Sequence, residues 1–338
     1  MVQTKLTEQT GIQHPIICGA MYPCSNPELI AAASEGGGIA IIQPVSLTMV
    51  HGFNKPDLGE GLRNAIRHIR ALTDKPIGFN ALIEKGSKKY FDRMSDWIDI
   101  ALEEDVRFFV TSLGKPDWVC EKVHAAGGYV YHDVTNRDWA KKGIDCGVDG
   151  LICVNNRAGG HLGELTMEEM YEQLQDLGKP LICAGGIGSE VELNRALETG
   201  YAGVQMGTRF IATAECTTPE DYKQAIVEAG EDDITWTSRI TGVPISVIRS
   251  DGFRQENSWL MRKLLSGRFR HKARMLLNVI SFLRMKSLAK GKKKSAKDLW
   301  SAGKSVETIT SIESATAIMH RLGESLSQNP ALREQMSV

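Results

Sequence analysis

A single histidine stands among three glycines in the stretch Asn156-Arg157-Ala158-Gly159-Gly160-His161-Leu162-Gly163-Glu164. The stretch follows the apolar run Gly150–Val154, which is typical of a buried strand. Glycine permits backbone angles that are closed to other residues and lets the backbone approach a ligand closely. A histidine held at the end of a strand is well placed to move a proton. A tight turn with a solvent-facing histidine is the simpler interpretation of this stretch alone.

Two later stretches, Pro180–Ile187 and Gly203–Phe210, also read as strands that run into glycine and then into a helical pattern. Such junctions offer backbone N–H groups to an anion. Two of them in succession match the phosphate site of a (β/α)8 barrel, which the loops after strands seven and eight build. The residues predicted to hold the phosphate are Gly185, Gly186, Gly207 and Thr208.

Strand-like apolar runs alternate with helical patterns from His14 to Thr208, and eight such strands are present. This alternation implies a parallel sheet, and eight units fit a closed barrel whose strand ends meet at the active-site face. The sequence therefore predicts an α/β protein with a (β/α)8 TIM barrel over residues 1–240. An open, doubly wound sheet is the alternative, but no G-x-G-x-x-G follows the first strand. The strand-ending residues are Gly19, Gln43, Asn80, Ser112, His132, His161, Gly185 and Gly207.

Composition excludes several classes of function. The chain has 338 residues, a formal net charge of -1 and 42% hydrophobic residues, so it has no global attraction to nucleic acid. No apolar run is long enough to span a bilayer, and the N-terminus lacks the apolar core of a signal peptide. The seven cysteines lack the paired spacing of a metal site. We therefore expect reduced core cysteines, no metal and a cytoplasmic protein.

Residues 241–338 depart from the repeat and are predicted to form a mainly helical extension that packs on the barrel. Segment 254–294 is rich in Lys and Arg, contains Glu256 as its only acid and has apolar residues at helical spacing. This pattern predicts a basic amphipathic flap that lies against the barrel. A membrane surface or an acidic protein is the alternative partner for this segment. A terminal helix is predicted over Ile312–Leu326.

The glycine motifs, taken together, resemble those of the nitronate monooxygenase (2-nitropropane dioxygenase) family. The resemblance is weakest in residues 240–297, and it also extends to the related enoyl-acyl-carrier-protein reductase II and NADH:quinone reductase types. The segments that carry it are Pro15–Met21, Gly78–Asn80, Ala158–Gly163, Ala184–Ile187, Gln205–Phe210 and Trp300–Gly303.

The resemblance implies an FMN-dependent barrel in which His161 is the active-site histidine. It implies oxidation of alkyl nitronates, or of a similar small anionic substrate, with oxygen; an NAD(P)H-dependent reductase is the alternative. A flavin-binding scaffold without catalysis is a third hypothesis, and a homo-oligomer is compatible with the sequence. The residues expected to contact FMN are Gly19, Ala20, Met21, Asn80, His132, Gly159, Gly160, Gly185, Gly186, Gly207 and Thr208.

Two positions depart from the family pattern. Asp133 stands where many relatives carry a lysine, and Arg157 stands where relatives often carry an acidic residue. Together they change the electric field around the expected flavin. Arg157 either attracts an anionic substrate or forms a salt bridge with Asp133 or Glu164.

Overall fold

The computed structural model describes residues 2–83, 88–238, 244–249 and 300–335, of which residues 333–335 are described by their backbone only. Eight parallel strands close into a barrel, in the order β1-β2-β3-β4-β5-β6-β8-β9, which confirms the (β/α)8 prediction. The strands are β1 (Ile16–Cys18), β2 (Ile39–Ile42), β3 (Ile77–Leu82), β4 (Phe108–Ser112), β5 (Tyr129–Val134), β6 (Gly150–Val154), β7 (Gly160–His161), β8 (Leu181–Ala184), β9 (Gly203–Met206), β10 (Ile234–Thr237) and β11 (Ile245–Ile248).

Helices follow the barrel strands and cover their outer faces. Their apolar sides pack on the strands, as shown by the fully buried Leu62 and Ile66 of one helix and Trp97 of the next. The helices are α1 (Lys5–Thr10), α2 (Pro27–Glu35), α3 (Pro44–Met49), α4 (Leu58–Leu72), α5 (Lys88–Glu103), α6 (Asp117–Ala125), α7 (Arg137–Asp145), α8 (Met167–Leu174), α9 (Glu190–Thr199), α10 (Thr208–Ile211), α11 (Glu220–Glu228), α12 (Ala315–Gln328) and α13 (Pro330–Gln335).

The register of the strands decides which side chains face the barrel interior. Strand β1 pairs with β2 through Ile17 and Ile39, and with β9 through Ile17 and Gln205, which closes the barrel. Ile17, Ile39 and Tyr131 belong to one buried interior cluster, so their strand neighbours point to the helices. Because side chains alternate along a strand, the residues two positions further on also face inward.

Helix α1 closes the amino-terminal end of the barrel. Leu6 and Ile12 are buried in the interior cluster, and the Tyr131 hydroxyl donates a hydrogen bond of 2.7 Å to Gln9 Oε1. Thr4 begins the helix with a capping box, since its hydroxyl accepts from Thr7 N–H. The amino end is therefore sealed by apolar contacts and satisfied polar groups.

A second, three-stranded sheet of order β10-β11-β7 lies outside the barrel. Strand β7 contains His161, and it pairs antiparallel with β11 through Ile245. His161 thus lies in a short strand of this outer sheet, which neither the strand-end interpretation nor the alternative of a tight turn included. The described part of the predicted helical extension contains β11 as well as α12 and α13. Its separation as a domain at residue 240 stays a prediction, and the basic segment 254–294 lies outside the described residues.

Within the described ranges, no helix is long and apolar enough to cross a membrane. The same ranges contain no group of three or more His, Cys, Asp or Glu side chains arranged to hold a metal ion.

Candidate active site

The two glycines that follow β8 lie in positions that no other residue can occupy without displacement of its neighbours. Gly185 has φ +121°, and a Cβ there would lie 2.2 Å from Asn155 Oδ1 and 2.7 Å from Ala158 N. Gly186 has φ +79° and lies against the Arg157 side chain, whose Nε would be 2.8 Å from a Cβ. The loop after β8 is therefore packed directly on the loop after β6.

Asn155 links these two loops. Its Nδ2 donates to Gly185 O at 2.9 Å, and its Oδ1 accepts from Arg157 N–H at 2.8 Å. The side chain is 1% exposed, so both hydrogen bonds replace contacts with water. Asn155 was not among the predicted site residues, although an amide directly after the apolar run Gly150–Val154 indicates a polar role at the end of the strand.

Residues from the C-terminal part of the chain complete the same end of the barrel. Gly303 N–H donates to Thr208 Oγ1 at 3.0 Å, and Lys304 N–H donates to Arg157 O at 3.0 Å. A Cβ on Gly159 would lie 2.9 Å from Gly303 N and 3.4 Å from Thr208 Oγ1. The loops after β6, β8 and β9 and residues 303–304 are thus in mutual contact.

The exit of β1 adjoins this group. A Cβ on Gly19 would lie 3.1 Å from Gln205 Cγ, so the Gln205 side chain lies flat against the Gly19 backbone. Met21 Sδ lies 3.6 Å from the position of a Cβ on Gly207. Ala20 packs on the interior cluster. The three residues that were predicted to face a flat ring therefore border β9 and the loop after it.

The helix after β8 does not leave its own N-terminus open, in contrast to the sequence interpretation of this junction. The Ser189 hydroxyl accepts from Val191 N–H at 3.2 Å, and Glu192 Oε2 accepts from Ser189 N–H at 2.9 Å. These two bonds engage the N–H groups of the cap residue Ser189 and of Val191 in the first turn of α9. An anion at this loop would therefore meet the backbone of Gly185 and Gly186 rather than the helix.

His161 is held by a short chain of hydrogen bonds to β11 and residue 301. The neighbouring Gly160 N–H donates to Ser301 Oγ at 3.0 Å, and Ser301 Oγ donates to Ser246 O at 3.1 Å. The imidazole is partly open to solvent, but the surrounding loops exclude enough water to lower its pKa below the usual histidine value. His161 is therefore a neutral base at pH 7. Ser301 was not among the predicted site residues, because its contact with Gly160 spans 141 positions of the sequence.

Polar groups line the interior at the carboxyl ends of the strands. Asn80 faces inward, because its neighbour Phe79 belongs to the outer core layer. Asp133 Oδ1 and Gln205 Oε1 are shielded from solvent and have no hydrogen-bond partner among the described residues. Burial raises the pKa of Asp133 to about 7. These are free acceptors at the end of the barrel where ligands of this fold bind.

His132 does not join the other predicted cofactor residues. It faces the helix layer, where its ring lies 3.2 Å from the position of a Cβ on Gly143 of α7. Its Nδ1 lies 2.8 Å from Thr111 Oγ1, and burial lowers its pKa to about 4. The inward position at this end of β5 belongs to Asp133, one residue further on.

Arg157 forms a salt bridge, but neither expected partner is correct. Its Nη2 lies 2.6 Å from Glu231 Oε2, and Lys304 Nζ lies 3.8 Å from the other oxygen of the same carboxylate. The Arg157 guanidinium holds the pKa of Glu231 below its usual range. The positive charge of Arg157 is thus paired with Glu231, next to Gly186 in the loop after β8.

Comparison with known proteins identifies the family. The nitronate monooxygenase family model matches residues 3–325. A (3aS,4S,5R,7aS)-5-hydroxy-7a-methyl-1-oxo-octahydro-1H-indene-4-carboxyl-CoA dehydrogenase of Mycobacterium tuberculosis is 30% identical over 292 residues, 85% of this chain and 76% of that protein. A nitronate monooxygenase of Paraburkholderia phytofirmans is 26% identical over 275 residues, 69% and 72% of the two chains.

The structure of FabK from Thermotoga maritima superposes with a TM-score of 0.79 at 25% identity, and the match covers 100% of both chains. The barrel, the glycine loops and His161 occur in the segments that the family model spans. The chain belongs to the nitronate monooxygenase family and is a flavin-dependent oxidoreductase of that type.

Proposed function

We propose that this protein binds FMN, with its phosphate at the loops after β8 and β9. The observation that carries the proposal is the convergence of Gly159, Gly185, Gly186 and Thr208, whose close contacts leave no room for larger side chains at the three glycines. A glycine loop of this kind lets a ligand approach its backbone closely, and its N–H groups can hold an anion. The Thr208 hydroxyl accepts one hydrogen bond and retains a proton to donate.

The interior of the barrel mouth fits the polar ring of a flavin. Asp133 Oδ1 and Gln205 Oε1 are acceptors without partners in the described part of the chain. A flavin carries one imide N–H on its pyrimidine ring, and this donor would satisfy one of the two acceptors. When bound, it supplies two-electron oxidation of the substrate and returns the electrons to oxygen or another acceptor.

His161 is the base of the proposed reaction. A neutral imidazole takes the proton from the carbon beside the nitro group of a nitroalkane, or orients a nitronate that is already anionic. Its lowered pKa keeps it unprotonated at neutral pH. Because only the neutral imidazole accepts a proton, the rate with a nitroalkane holds at pH 7 and falls in acid, with a midpoint below the usual histidine pKa.

Acyl-CoA thioesters are the second candidate substrate class. The observation that favours them is that the coenzyme A ester dehydrogenases of Mycobacterium tuberculosis and Rhodococcus jostii share 30% identity with this chain, against 26% for the Paraburkholderia nitronate monooxygenase. In that reaction His161 would move a proton at a carbon beside the thioester carbonyl.

The deciding experiment is an anaerobic visible spectrum of the purified protein. The flavin is first released and compared with FMN, FAD and riboflavin standards. The protein is then mixed separately with ethyl nitronate, nitroethane, acyl-CoA thioesters, NADH and NADPH. Bleaching by ethyl nitronate supports the first candidate, and bleaching by acyl-CoA supports the second. Bleaching by nucleotide alone supports a reductase.

His161→Ala tests the base. We expect nitroethane to bleach this variant at least about 100-fold more slowly, which is within the range that general base catalysis contributes. FMN content should stay unchanged, because His161 lies on the outer sheet. Bleaching of the variant at the wild-type rate would exclude His161 as the base. If the wild-type protein binds no flavin, the proposed function is wrong.

A further inference from the structure

Asp133 has an unusual place for a carboxyl group. It lies on β5, two residues after Tyr131, whose ring is in the interior cluster. Asp133 therefore faces the interior, one layer closer to the carboxyl ends of the strands. Its partner in the parallel register of β6 is Ile152, which is apolar and fully buried. Asp133 is thus a carboxyl group beside an apolar wall at the mouth of the barrel.

The charged groups nearby do not neutralise it. Arg157, which was one expected partner, is bound to Glu231. His132 faces the helix layer and is unprotonated at neutral pH. Cys153 on β6 is a titratable neighbour, and its own burial raises its pKa, so it carries no charge. Asp133 Oδ1 consequently has no hydrogen-bond partner among residues 2–83, 88–238, 244–249 and 300–332.

We propose that Asp133 accepts a hydrogen bond from an N–H group of the ligand in the barrel mouth, and that ligand binding expels the carboxyl proton. The ligand class is a heterocycle with an imide N–H, as in the pyrimidine ring of a flavin. The inference rests on the proposed function, since FMN is the ligand that it specifies.

The direction of the pH dependence follows from linkage. In the free protein burial raises the pKa of Asp133 to about 7. A hydrogen bond from a ligand N–H stabilises the carboxylate, so the pKa falls in the complex. Below pH 7, binding must displace a proton, and affinity weakens by up to about tenfold per pH unit until the lower pKa is reached. Above pH 7 affinity is constant with respect to this group.

The opposite role gives the opposite sign. A protonated Asp133 that donates to a ligand carbonyl would have a higher pKa in the complex, and affinity would weaken as the pH rises above 7. The pH profile of binding therefore separates acceptor from donor.

The test is FMN binding to the flavin-free protein, measured by quenching of flavin fluorescence between pH 5.5 and 8.5. The variants are Asp133→Asn and, as matched control, Asp145→Asn on the exposed end of α7. The FMN phosphate also titrates near pH 6, but it does so equally in all proteins. The readout is therefore the ratio of the Kd of Asp133→Asn to that of wild type.

We expect this ratio to rise about tenfold per unit from pH 5.5 to 7 and then to level off. The Asp145→Asn ratio should stay flat. A Kd ratio for Asp133→Asn that is flat or falls with pH overturns the inference. Absence of FMN binding by the wild-type protein instead removes the proposed function.

A second probe needs no variant and so does not depend on folding. FMN methylated at the imide nitrogen lacks the N–H but keeps the phosphate and both carbonyls. We expect it to bind wild type at least about tenfold more weakly than FMN at pH 8, with the difference shrinking toward pH 5.5. Equal affinity for the two flavins across the whole range would contradict the proposed contact.

Discussion

The two ends of the barrel are built from the same strands but differ in how their polar groups are satisfied. At the amino end, Leu6 of α1 and Ile12, which follows the helix, enter the interior cluster, and the Tyr131 hydroxyl donates to Gln9. At the carboxyl end, Asp133 and Gln205 each keep a buried oxygen without a partner in the described residues. The polar groups described at the amino end are thus satisfied within the protein, whereas the carboxyl end retains acceptors that a ligand can satisfy.

Leu6→Ala creates a cavity at the amino end of the barrel and has the largest expected effect on stability. Leu6 is fully buried, and its Cδ2 lies 2.8 Å from the position of a Cβ on Gly203. We expect a loss of about 2–5 kcal/mol in the free energy of unfolding, measured by denaturant titration, with unchanged FMN affinity. The control, Leu72→Ala, removes a side chain that is 45% exposed and should change stability by less than about 0.5 kcal/mol.

Gly185→Ala is expected to disturb the proposed phosphate site at the carboxyl end of the barrel. The new Cβ would collide with Asn155 Oδ1 and Ala158 N, both held by the loop after β6. We expect FMN to bind about 100-fold more weakly, or about 2.7 kcal/mol, by fluorescence titration.

Gly127→Ala is the matched control, because Gly127 has φ +73° with no neighbour within 4 Å of a Cβ. It should lower stability by about 1 kcal/mol without affecting FMN. Equal loss of FMN affinity in both variants would show that backbone strain, rather than the collision, is responsible.

Ser301→Ala tests whether the outer sheet positions His161. The change removes the acceptor of Gly160 N–H and the donor to Ser246 O. We expect about a tenfold lower kcat, since one or two hydrogen bonds of about 1 kcal/mol are lost, with KM and FMN content nearly constant. Ser301→Thr keeps the hydroxyl and should restore most of kcat. A drop in FMN content instead of kcat would assign Ser301 to the cofactor site.

The smallest effect is expected from the Arg157–Glu231 pair. Their side chains are 40% and 37% exposed, so solvent screens the interaction. A double-mutant cycle with Arg157→Gln and Glu231→Gln should give a coupling below about 1 kcal/mol in unfolding free energy. A much larger coupling would mean that this charge pair, unlike other surface pairs, stabilises the open end.

Local sequence patterns were sufficient to predict the bounds of a strand that is apolar on both faces. Strand β6 begins and ends at the predicted residues, because a continuous apolar run bounded by glycine or polar residues marks a buried parallel strand. The contact between the glycine loops also followed from the fold, since the carboxyl ends of neighbouring strands meet in a barrel.

Predictions that required the inward face of a strand, or a distant partner, were less successful. His132 and Asp133 are adjacent, and only the barrel register shows that Asp133 faces inward while His132 contacts Thr111. Arg157 pairs with Glu231, which lies 74 positions away, and no local pattern indicates this distance. The pairing of β7 with β11 likewise depends on tertiary contacts, since the two strands are more than 80 positions apart in the sequence.

The contacts of residues 301–304 have a consequence for the order of assembly. All eight barrel strands are complete at Met206, yet Ser301, Gly303 and Lys304 supply hydrogen bonds to Gly160, Thr208 and Arg157. During translation the barrel sequence therefore leaves the ribosome well before residues 301–304, which form these hydrogen bonds. An arrested nascent chain that ends before residue 300 would carry the eight barrel strands without these three hydrogen bonds.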